Sequence, residues 1–500
     1  MTEQHLSETR SAWIAFAVAT SVAVLTILDV VKVNVVLTPL EETLGATPTQ
    51  TSLVVAGYVL AFGIALVPSG RLGDQWSRKA MFMIGLVIFT IASLAAALAP
   101  TASLLVLARI LQGIAAGTLM PQVLGMIQTL FQDQARGKAF GIFGAAIGLG
   151  TSFGPTVGGV LLGAFGPELG WRWTFGMNVP LALLIIPLAV WLIPAAQARQ
   201  GRTDLDLIGV TFLASSVLFI MLPFVLTTGS DDQPWRWSFL ALGGLSVVAF
   251  VRWENRYRDA GKSPVLDFTL FRYSSYRNGV VITTLFFAAM PAMFLVMTLF
   301  NQQGLGHDPV AVGLITVPYA IVSAIVAAII GRYTFRHATG LVIWGFIIFI
   351  VALIGLVAVS VLVPPEHNPL AMAIVLALAG IGPGFIMVAN QTRTLMDVPI
   401  VQGGVAGSFQ QVGQRVGNAI GIAIGSAIFY ALIVNVPRDE SGMPDHTDPA
   451  SIATYGQAFQ TAMAVLILFC LVALIFAGID HRARSQQLAT RDVSRASRPH

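Results

Sequence analysis

The sequence has little charge and almost no cysteine. Charged residues make up 10% of the 500 residues, whereas soluble domains carry roughly 25%. A soluble surface this poor in charge would not stay dissolved, so a chain of several water-soluble domains is excluded. The single cysteine, Cys470, excludes an internal disulfide, and no cluster of metal-ligating residues is apparent. We therefore expect no metal and no cofactor.

Hydrophobic residues, by contrast, are abundant. They make up 56% of the chain, and the mean hydropathy is +0.79. They gather into fourteen apolar stretches, most of them near the roughly 20 residues that cross a bilayer as a helix. The stretches do not alternate apolar with polar residues, which favours helices over the strands of a membrane barrel. The sequence predicts an all-α multi-pass membrane protein of 14 transmembrane helices, without a cleavable signal peptide.

The basic residues predict the orientation of these helices. With the N terminus inside the cell, 22 of the 28 lysines and arginines fall in cytoplasmic tails and loops, and only three fall in outer loops. This bias follows the positive-inside rule and predicts that both termini are cytoplasmic, in the inner (cytoplasmic) membrane. The basic loop from Arg252 to Arg277 either lies on anionic lipid or gates the cytoplasmic side, and the first interpretation is favoured.

A weak internal repeat predicts the domain organisation. The fifth and thirteenth helices are both dense in glycine, and short basic loops follow both the second and the tenth helix. We expect two six-helix bundles separated by two inserted helices, with the substrate at mid-membrane between the bundles. The predicted parts are an N-terminal tail at 1–10, a bundle at 11–200, inserted helices at 201–253, a basic loop at 254–279, a second bundle at 280–478 and a polar tail, expected to be disordered, at 479–500.

Asp29 is the one clear acid inside the apolar stretches. Ionisable residues within a membrane are costly and usually functional. Lys32 lies three residues further on the same helical face, and Arg109 is a second embedded cation. Burial favours the neutral form of a carboxyl and a nearby cation favours the charged form, so Asp29 is predicted to bind and release a proton. Lys32 and Arg109 are predicted to belong to the same proton-coupling site. A purely structural salt bridge of Asp29 with Lys32 or Arg109 is the alternative.

Amides and soft side chains mark a candidate substrate cavity. Gln410, Gln414 and Asn418 lie four residues apart on the thirteenth helix, with Gln411 and Arg415 beside them. Such a stripe must face water or protein rather than lipid, so cavity lining and interhelical hydrogen bonding are both open. Methionines on the ninth helix suit an adaptable wall, although ordinary packing is favoured there. The predicted cavity residues are Asn34, Gln112, Met290, Phe294, Gln411, Gln414, Arg415 and Asn418.

The segment from Gly70 to Lys79 predicts a conformational latch. Its glycines allow a tight turn between two helices, and Asp74 is expected to cap the following helix and to pair with an arginine across the bundle interface. The latch residues are Gly70, Arg71, Gly73, Asp74 and Arg78. This segment resembles the signature loop between helices 2 and 3 of the major facilitator superfamily.

Further motifs carry the same resemblance. The segment from Leu107 to Gly113, which contains Arg109, resembles the embedded arginine motif of that superfamily. The fifth helix resembles its antiporter motif through Gly150, Gly154, Pro155, Gly158 and Gly159. Segments around Asp29 and from Trp171 to Pro180 resemble the fourteen-helix drug:proton antiporter branch. The resemblance implies alternating access and export driven by proton influx. It also implies that the partners are small molecules, protons and the bilayer, that no nucleic acid is bound, and that the protein is a monomer.

Three classes of function are compatible with a chain of this kind. The first is a proton-coupled exporter of drugs or amphipathic small molecules, and the second is an importer of a small organic acid or other nutrient. The third is a membrane sensor or lipid-modifying enzyme. The sequence shows no nucleophile–base pair or phosphate loop that would support this third class, so we expect no enzyme. The charged residues embedded in the apolar stretches are one acid and three bases, and this excess of positive charge suits an anionic or zwitterionic substrate.

Overall fold

The structure, a computed structural model, describes residues 3–194, 206–225, 234–262, 264–307, 309–331, 333–399, 402–433 and 448–496. The regular elements in these ranges are helices, so the predicted all-α class is confirmed. In chain order the long helices are α1 Glu3–Lys32, α2 Pro48–Gln75, α3 Arg78–Ala97, α4 Ala102–Leu130, α5 Asp133–Gly176, α6 Asn178–Leu192, α7 Leu207–Val225, α8 Ser238–Asp259, α9 Ser274–Leu299, α10 Val317–Ile330, α11 Thr334–Leu362, α12 Asn368–Met396, α13 Gly403–Ile433 and α14 Pro449–Ala496.

Local side chains set where several of these helices begin. At the start of α2, Thr47 Oγ1 accepts from the backbone N–H of Gln50 at 3.3 Å, and Gln50 Oε1 accepts from the backbone N–H of Thr47 at 3.0 Å. This reciprocal pair satisfies two N–H groups that the first helical turn leaves open. Ser77 caps α3 by accepting from the backbone N–H of Ala80 at 3.2 Å. The expectation that Asp74 caps this helix is therefore wrong.

The helices match the predicted membrane segments, with fourteen as an approximate count. Eleven described stretches are long and apolar enough to cross a bilayer, and one of them, Gln134–Leu192, holds both α5 and α6. Gly166, with a φ of 74°, breaks the helical path inside α5. The apolar part of α7 is shorter, at Leu207–Pro223, and α8 ends in charged sequence. Helix α14 continues to Ala496, so the polar tail begins as helix rather than as disordered chain.

The chain forms two compact units. The first comprises the described residues of Met1–Ala139, Ala146–Phe268 and Pro399–Val416. It therefore includes α7 and α8, and α7 packs on α2, where a β-carbon on Gly63 would lie 3.3 Å from Val217 Cγ1. A core around Trp171 and Phe175 lies at one end of this unit.

The second unit comprises Phe140–Ala145, the described residues of Thr269–Val398, and those of Gly417–His500. Its core joins α9, α11, α12 and α14 and contains the buried Cys470. Arg393 of α12 is buried and donates through Nε to Asp480 Oδ2 of α14 at 3.0 Å. The same guanidinium reaches Asp397 Oδ2 at 2.9 Å. This ion pair ties α14 to α12 at the start of the polar tail.

Candidate functional site

A buried charge cluster lies in the first unit, between α1 and α4. Asp29 and Lys32 stand one turn apart on α1, and Lys32 Nζ lies 3.1 Å from Asp29 Oδ1. Arg109 of α4 approaches the other carboxylate oxygen of Asp29 through Nη1. The side chains of all three are at most 1% exposed. The structure therefore brings together the three residues predicted to couple protons, and it holds Asp29 between two cations.

Asn178, the first residue of α6, completes the contacts of Asp29. Its Nδ2 donates to Asp29 Oδ1 at 2.7 Å, and its Oδ1 accepts from Lys32 Nζ, also at 2.7 Å. The amide therefore satisfies both members of the Asp29–Lys32 pair at once. A buried ion pair is stable only when such hydrogen bonds replace the water that its charges have lost.

Gln112 belongs to the same cluster. Its Oε1 accepts from Arg109 Nη1 at 3.0 Å, and its Nε2 donates to Ser93 Oγ at 2.8 Å. Ser93 in turn accepts from Asn178 Nδ2 at 3.3 Å. Gln112, which was predicted to line the substrate cavity, is fully buried in this position. A proton on Asp29 would thus change a network that joins four helices.

Aromatic rings enclose the guanidinium of Arg109. Its carbon lies 4.2 Å from the ring centroid of Tyr58 and 5.5 Å from that of Phe175. Its Nε donates to the backbone oxygen of Val54 at 3.0 Å. Such rings attract a cation without offering it a proton acceptor. Arg109 is therefore held in place by α2 as well as by Asp29.

The glycines of α5 let this helix lie directly against the turn of α1 that carries Lys32. A β-carbon on Gly154 would lie 2.8 Å from Val31 Cβ, and one on Gly158 would lie 2.9 Å from the backbone oxygen of Lys32. Gly150 approaches Val24 in the same way, at 3.1 Å from Cγ1. Among the described residues, no atom outside the local backbone of α5 lies within 4 Å of the corresponding position at Gly159. The antiporter-type motif is thus a contact surface for α1.

The side chain of Pro155, in the same motif, lies outside the described residues, as does that of Asn34 among the predicted cavity residues. Nothing in the described structure tests the roles predicted for these two residues.

The latch segment forms a second charged contact within the first unit, and the arginine that pairs with Asp74 is Arg78 of the same segment, not the predicted one across the bundle interface. Asp74 Oδ1 accepts from Arg78 at 2.8 Å (Nη2) and 3.1 Å (Nε). Asp74 Oδ2 accepts from the backbone N–H of Val405 at 3.1 Å. The carboxylate thus lies at the N-terminal end of α13, where helix N–H groups attract negative charge. Arg78 also donates to the backbone oxygen of Gly125 on α4.

The remaining latch residues fit this contact closely. A β-carbon on Gly70 would clash with Ser408 Oγ and would lie 2.9 Å from the backbone oxygen of Gly404. One on Gly73 would clash with the side-chain amide of Gln122. Arg71 is buried, and Gln75, with its amide oxygen turned towards it, accepts two bonds from Arg71 at 3.0 and 3.1 Å. The two glycines therefore allow close packing against α13 and α4.

Arg415 on α13 has no carboxylate partner among the described residues. Its guanidinium carbon lies 4.4 Å from the ring centroid of Phe62. Its Nε is buried and makes no hydrogen bond within the described structure, and the same holds for Oδ1 of Asn418. Asp29 is held by Lys32 and Arg109, and Arg415 is not among its partners in this conformation.

The other predicted cavity residues are distributed between the two units. Gln411 is buried and Gln414 is partly buried on α13. Met290 and Phe294 are partly buried and pack on the core of the second unit, where Phe294 meets the ring of Tyr319 edge-on at 4.9 Å. Their role in binding remains a prediction.

Three cluster residues were missed from the sequence. Asn178 carried the clearest signal, because it is an amide near the start of the sixth apolar stretch. It also belongs to the family-like segment from Trp171 to Pro180. Ser93 and Tyr58 carry no signal of their own, since a serine or tyrosine in an apolar helix is common. They are identified only by their contacts with Gln112 and Arg109.

Comparison with known proteins decides the family. A profile described as the Major Facilitator Superfamily matches residues 14–229 and again residues 207–422. The chain belongs to this superfamily. The predicted family is confirmed, and the chain is a multi-pass membrane protein of a family that transports small molecules.

Relatives within the superfamily carry names of antibiotic and drug transport. A probable actinorhodin transporter of Streptomyces coelicolor is 33% identical over 64% of this chain and 55% of its own length. A puromycin resistance protein of Streptomyces alboniger is 29% identical over 95% of this chain and 92% of its own length. The multidrug resistance protein Stp of Mycobacterium tuberculosis is 28% identical over 76% of this chain and 68% of its own. These names agree with the predicted drug-efflux branch, although the first match spans little more than half of that relative.

Two solved structures share the fold. The human organic anion transporter MFSD10 superposes with a TM-score of 0.62 at 12% identity, covering 92% of this chain and 99% of its own. The proton:xylose symporter XylE superposes with a TM-score of 0.59 at 15% identity, covering 91% of this chain and 95% of its own. At these identities the likeness shows a major facilitator fold and nothing about substrate.

Proposed function

We propose that this member of the superfamily is a proton-coupled exporter of drugs or amphipathic small molecules that works by alternating access. It resides in the cytoplasmic membrane as a monomer with both termini in the cytoplasm. The observation that carries the proposal is the buried cluster around Asp29, which holds one acid between two cations. The names of the relatives, which refer to antibiotics and to multidrug resistance, support export of drug-like molecules.

The electrostatics of the cluster explain how a proton would act. Ionised Asp29 pairs with Lys32 and Arg109 and accepts from Asn178. A proton on Asp29 removes the negative charge and leaves two neighbouring cations without an anion. Breaking a buried pair in this way costs about 3–5 kcal/mol. The protonated protein therefore favours a different arrangement of these helices, and this preference couples the proton to a conformational change.

The antiporter-type helix would transmit that change. Gly154 and Gly158 contact α1 at Val31 and Lys32, beside the carboxyl that takes the proton. A shift of Lys32 after protonation of Asp29 would therefore press directly on α5. The latch around Asp74 would hold one of the two conformations through its contact with α13.

The test is transport in proteoliposomes that contain the purified protein under an imposed pH gradient. Puromycin, ethidium and an anionic dye serve as probes, and proton flux is followed with a pH-sensitive dye. Asp29→Asn mimics the protonated carboxyl, so it should abolish substrate-linked proton flux while the protein still inserts. Asp259→Asn is the matched control, because the Asp259 side chain is 70% exposed at the end of α8. Normal substrate-linked proton flux in Asp29→Asn would refute the proposed role of Asp29.

Direction is tested separately in inverted membrane vesicles. An exporter accumulates the probe inside such vesicles when their lumen is acidified. Proton-driven uptake into right-side-out vesicles would instead favour the importer of a small organic acid or other nutrient.

A further inference from the structure

Glu254 is a buried acid that the proposed transport cycle does not use. It lies on α8 beyond the apolar segment that ends at Val251, and it is 1% exposed. Its Oε2 accepts from the backbone N–H of Leu266 at 3.2 Å. Its Oε1 is also buried and has no hydrogen-bond partner among the described residues. A buried carboxylate oxygen without a donor is costly, whereas a protonated oxygen can itself donate.

A second carboxyl, that of Asp206, lies close to Glu254. Asp206 precedes α7 and accepts from the backbone N–H of Gly209 through Oδ1 at 2.8 Å. Trp253 Nε1 donates to both oxygens of Asp206, at 2.9 and 2.8 Å. All three bonds come from N–H donors, so both oxygens of Asp206 act as acceptors.

Gly209 shows how closely the two carboxyls approach each other. A single β-carbon on Gly209 would clash with Glu254 Oε1, and it would lie 2.6 Å from Asp206 Oδ2. Both oxygens therefore crowd the same face of one glycine. Two carboxylates that share such a space do not readily ionise together, because the second negative charge is repelled by the first.

The charged groups that act on Glu254 come from two other elements. Burial is the main cause that raises the pKa of Glu254, and the negative charge of Asp206 adds to it, so that the net pKa is about 7. The hydrogen bond from Leu266 and the positive charge of Arg71 act in the opposite direction. Arg71 belongs to the latch segment on α2, so this acid on the inserted helices interacts with the latch.

We propose that Glu254 and Asp206 form a proton-binding pair at the end of the inserted helices, with the proton on Glu254 Oε1 donated to Asp206, and that losing this proton strengthens the electrostatic attraction between Glu254 and Arg71. The pair would make the latch respond to pH on the side that the proposed topology assigns to the cytoplasm. The consequence for transport rests on the proposed function, whereas proton binding by the pair does not.

The sign of the stability effect follows from the direction of the shift. The pKa of Glu254 lies above its usual value of 4.5, so the folded protein binds this proton more tightly than the unfolded chain does. The stabilising contribution is fully present below pH 4.5 and is lost as the pH rises through about 7. Glu254→Gln keeps the site neutral and should remove that loss.

The experiment measures thermal unfolding of the purified protein between pH 5 and 8.5, together with the infrared band of a protonated carboxyl. The native protein should lose stability and lose the band near pH 7, and Glu254→Gln should show neither change. Glu366→Gln is the matched control, because the Glu366 side chain is 84% exposed in the short 3-10 helix Pro365–His367 of the second unit. It should behave like the native protein.

Two further variants test the assigned partners. Asp206→Asn removes the repelling charge and should move the midpoint to lower pH, while asparagine still caps α7. Arg71→Gln removes the attracting charge and should move the midpoint to higher pH. If Glu254→Gln keeps the native pH dependence, or if both partner variants leave the midpoint unchanged, the proton-binding pair is refuted. These measurements need no transport, so they stay decisive even if Asp29 proves not to couple protons.

Discussion

Substitution of Gly158 by alanine tests the contact between α5 and α1. The added β-carbon would lie 2.9 Å from the backbone oxygen of Lys32 and 3.5 Å from Val35 Cβ. Ordinary contacts begin near 3.4 Å, so the overlap with the oxygen is about half an ångström. Because that oxygen belongs to the backbone of α1, it cannot rotate away as a side chain would. The two helices must separate at the turn that carries Lys32.

The free-energy cost of separating α1 from α5 follows to an order of magnitude from the size of the overlap. Overfilling a close-packed contact typically costs about 1–3 kcal/mol. If the cost falls only on the conformation in which α1 and α5 are packed, the equilibrium between conformations shifts by about 5- to 150-fold. Alanine also favours a helix over glycine by about 1 kcal/mol, which partly offsets the clash.

Gly159→Ala separates these two contributions. The neighbouring position lies on the same helix, and no described atom beyond the local backbone of α5 comes within 4 Å of the added carbon. It therefore gains the helix preference without the clash. We expect Gly159→Ala to be at least as thermally stable as the native protein and to match it in initial transport rate. Gly158→Ala should transport at least about 5-fold more slowly than Gly159→Ala at equal amounts in the membrane.

The proposed need for Gly158 in the contact between α5 and α1 is refuted if the two alanine variants transport at the same rate and unfold at the same temperature. That outcome would mean that α1 and α5 move apart freely, so that the glycines are not needed for their contact. Loss of both variants from the membrane would point instead to a general need for glycine in α5.

Two other substitutions test the latch and Arg415. Asp74→Asn removes the negative charge that Arg78 and the N-terminal end of α13 share, so turnover should slow while KM stays nearly unchanged, and a raised KM at unchanged turnover would contradict this. Arg415→Gln should weaken transport of acidic substrates far more than of cationic dyes if the substrate is the anion that Arg415 needs, with Arg415→Lys as the charge-conserving control. If Asp29 is the partner in another conformation, Arg415→Gln should shift the pH optimum for all substrates alike. No change in either property would make Arg415 structural.

Much of the fold and part of the site were predictable because they depend on residues close in the sequence. Apolar stretches of fixed length predict membrane helices, and an acid and a lysine three residues apart must share a helical face. Arg109 was expected near Asp29, since so few embedded charges exist that they tend to find each other. The pairing of these charges therefore follows from their scarcity.

Other parts of the site depend on contacts that no local pattern records. Asn178 bridges Asp29 and Lys32 across 149 and 146 residues of sequence. The carboxylate of Asp74 reaches Val405 across 331 residues, whereas the sequence pointed to the adjacent helix, which Ser77 caps instead. The sequence gives no signal for Glu254, because an acid in a basic loop region usually faces water. Its burial depends on the packing of Leu266 and Gly209, which only the fold brings to it.

The burial of Cys470 has a practical consequence for spectroscopy. This single native thiol lies in the core of the second unit with no exposed surface, so water-soluble maleimides and nitroxide reagents reach it only if α14 leaves its packing. A cysteine introduced at an exposed position, such as Glu366 or Asp259, would then carry the label almost alone. Distances between pairs of labels can thus be followed through the transport cycle in the otherwise native sequence, with no need to replace the native cysteine.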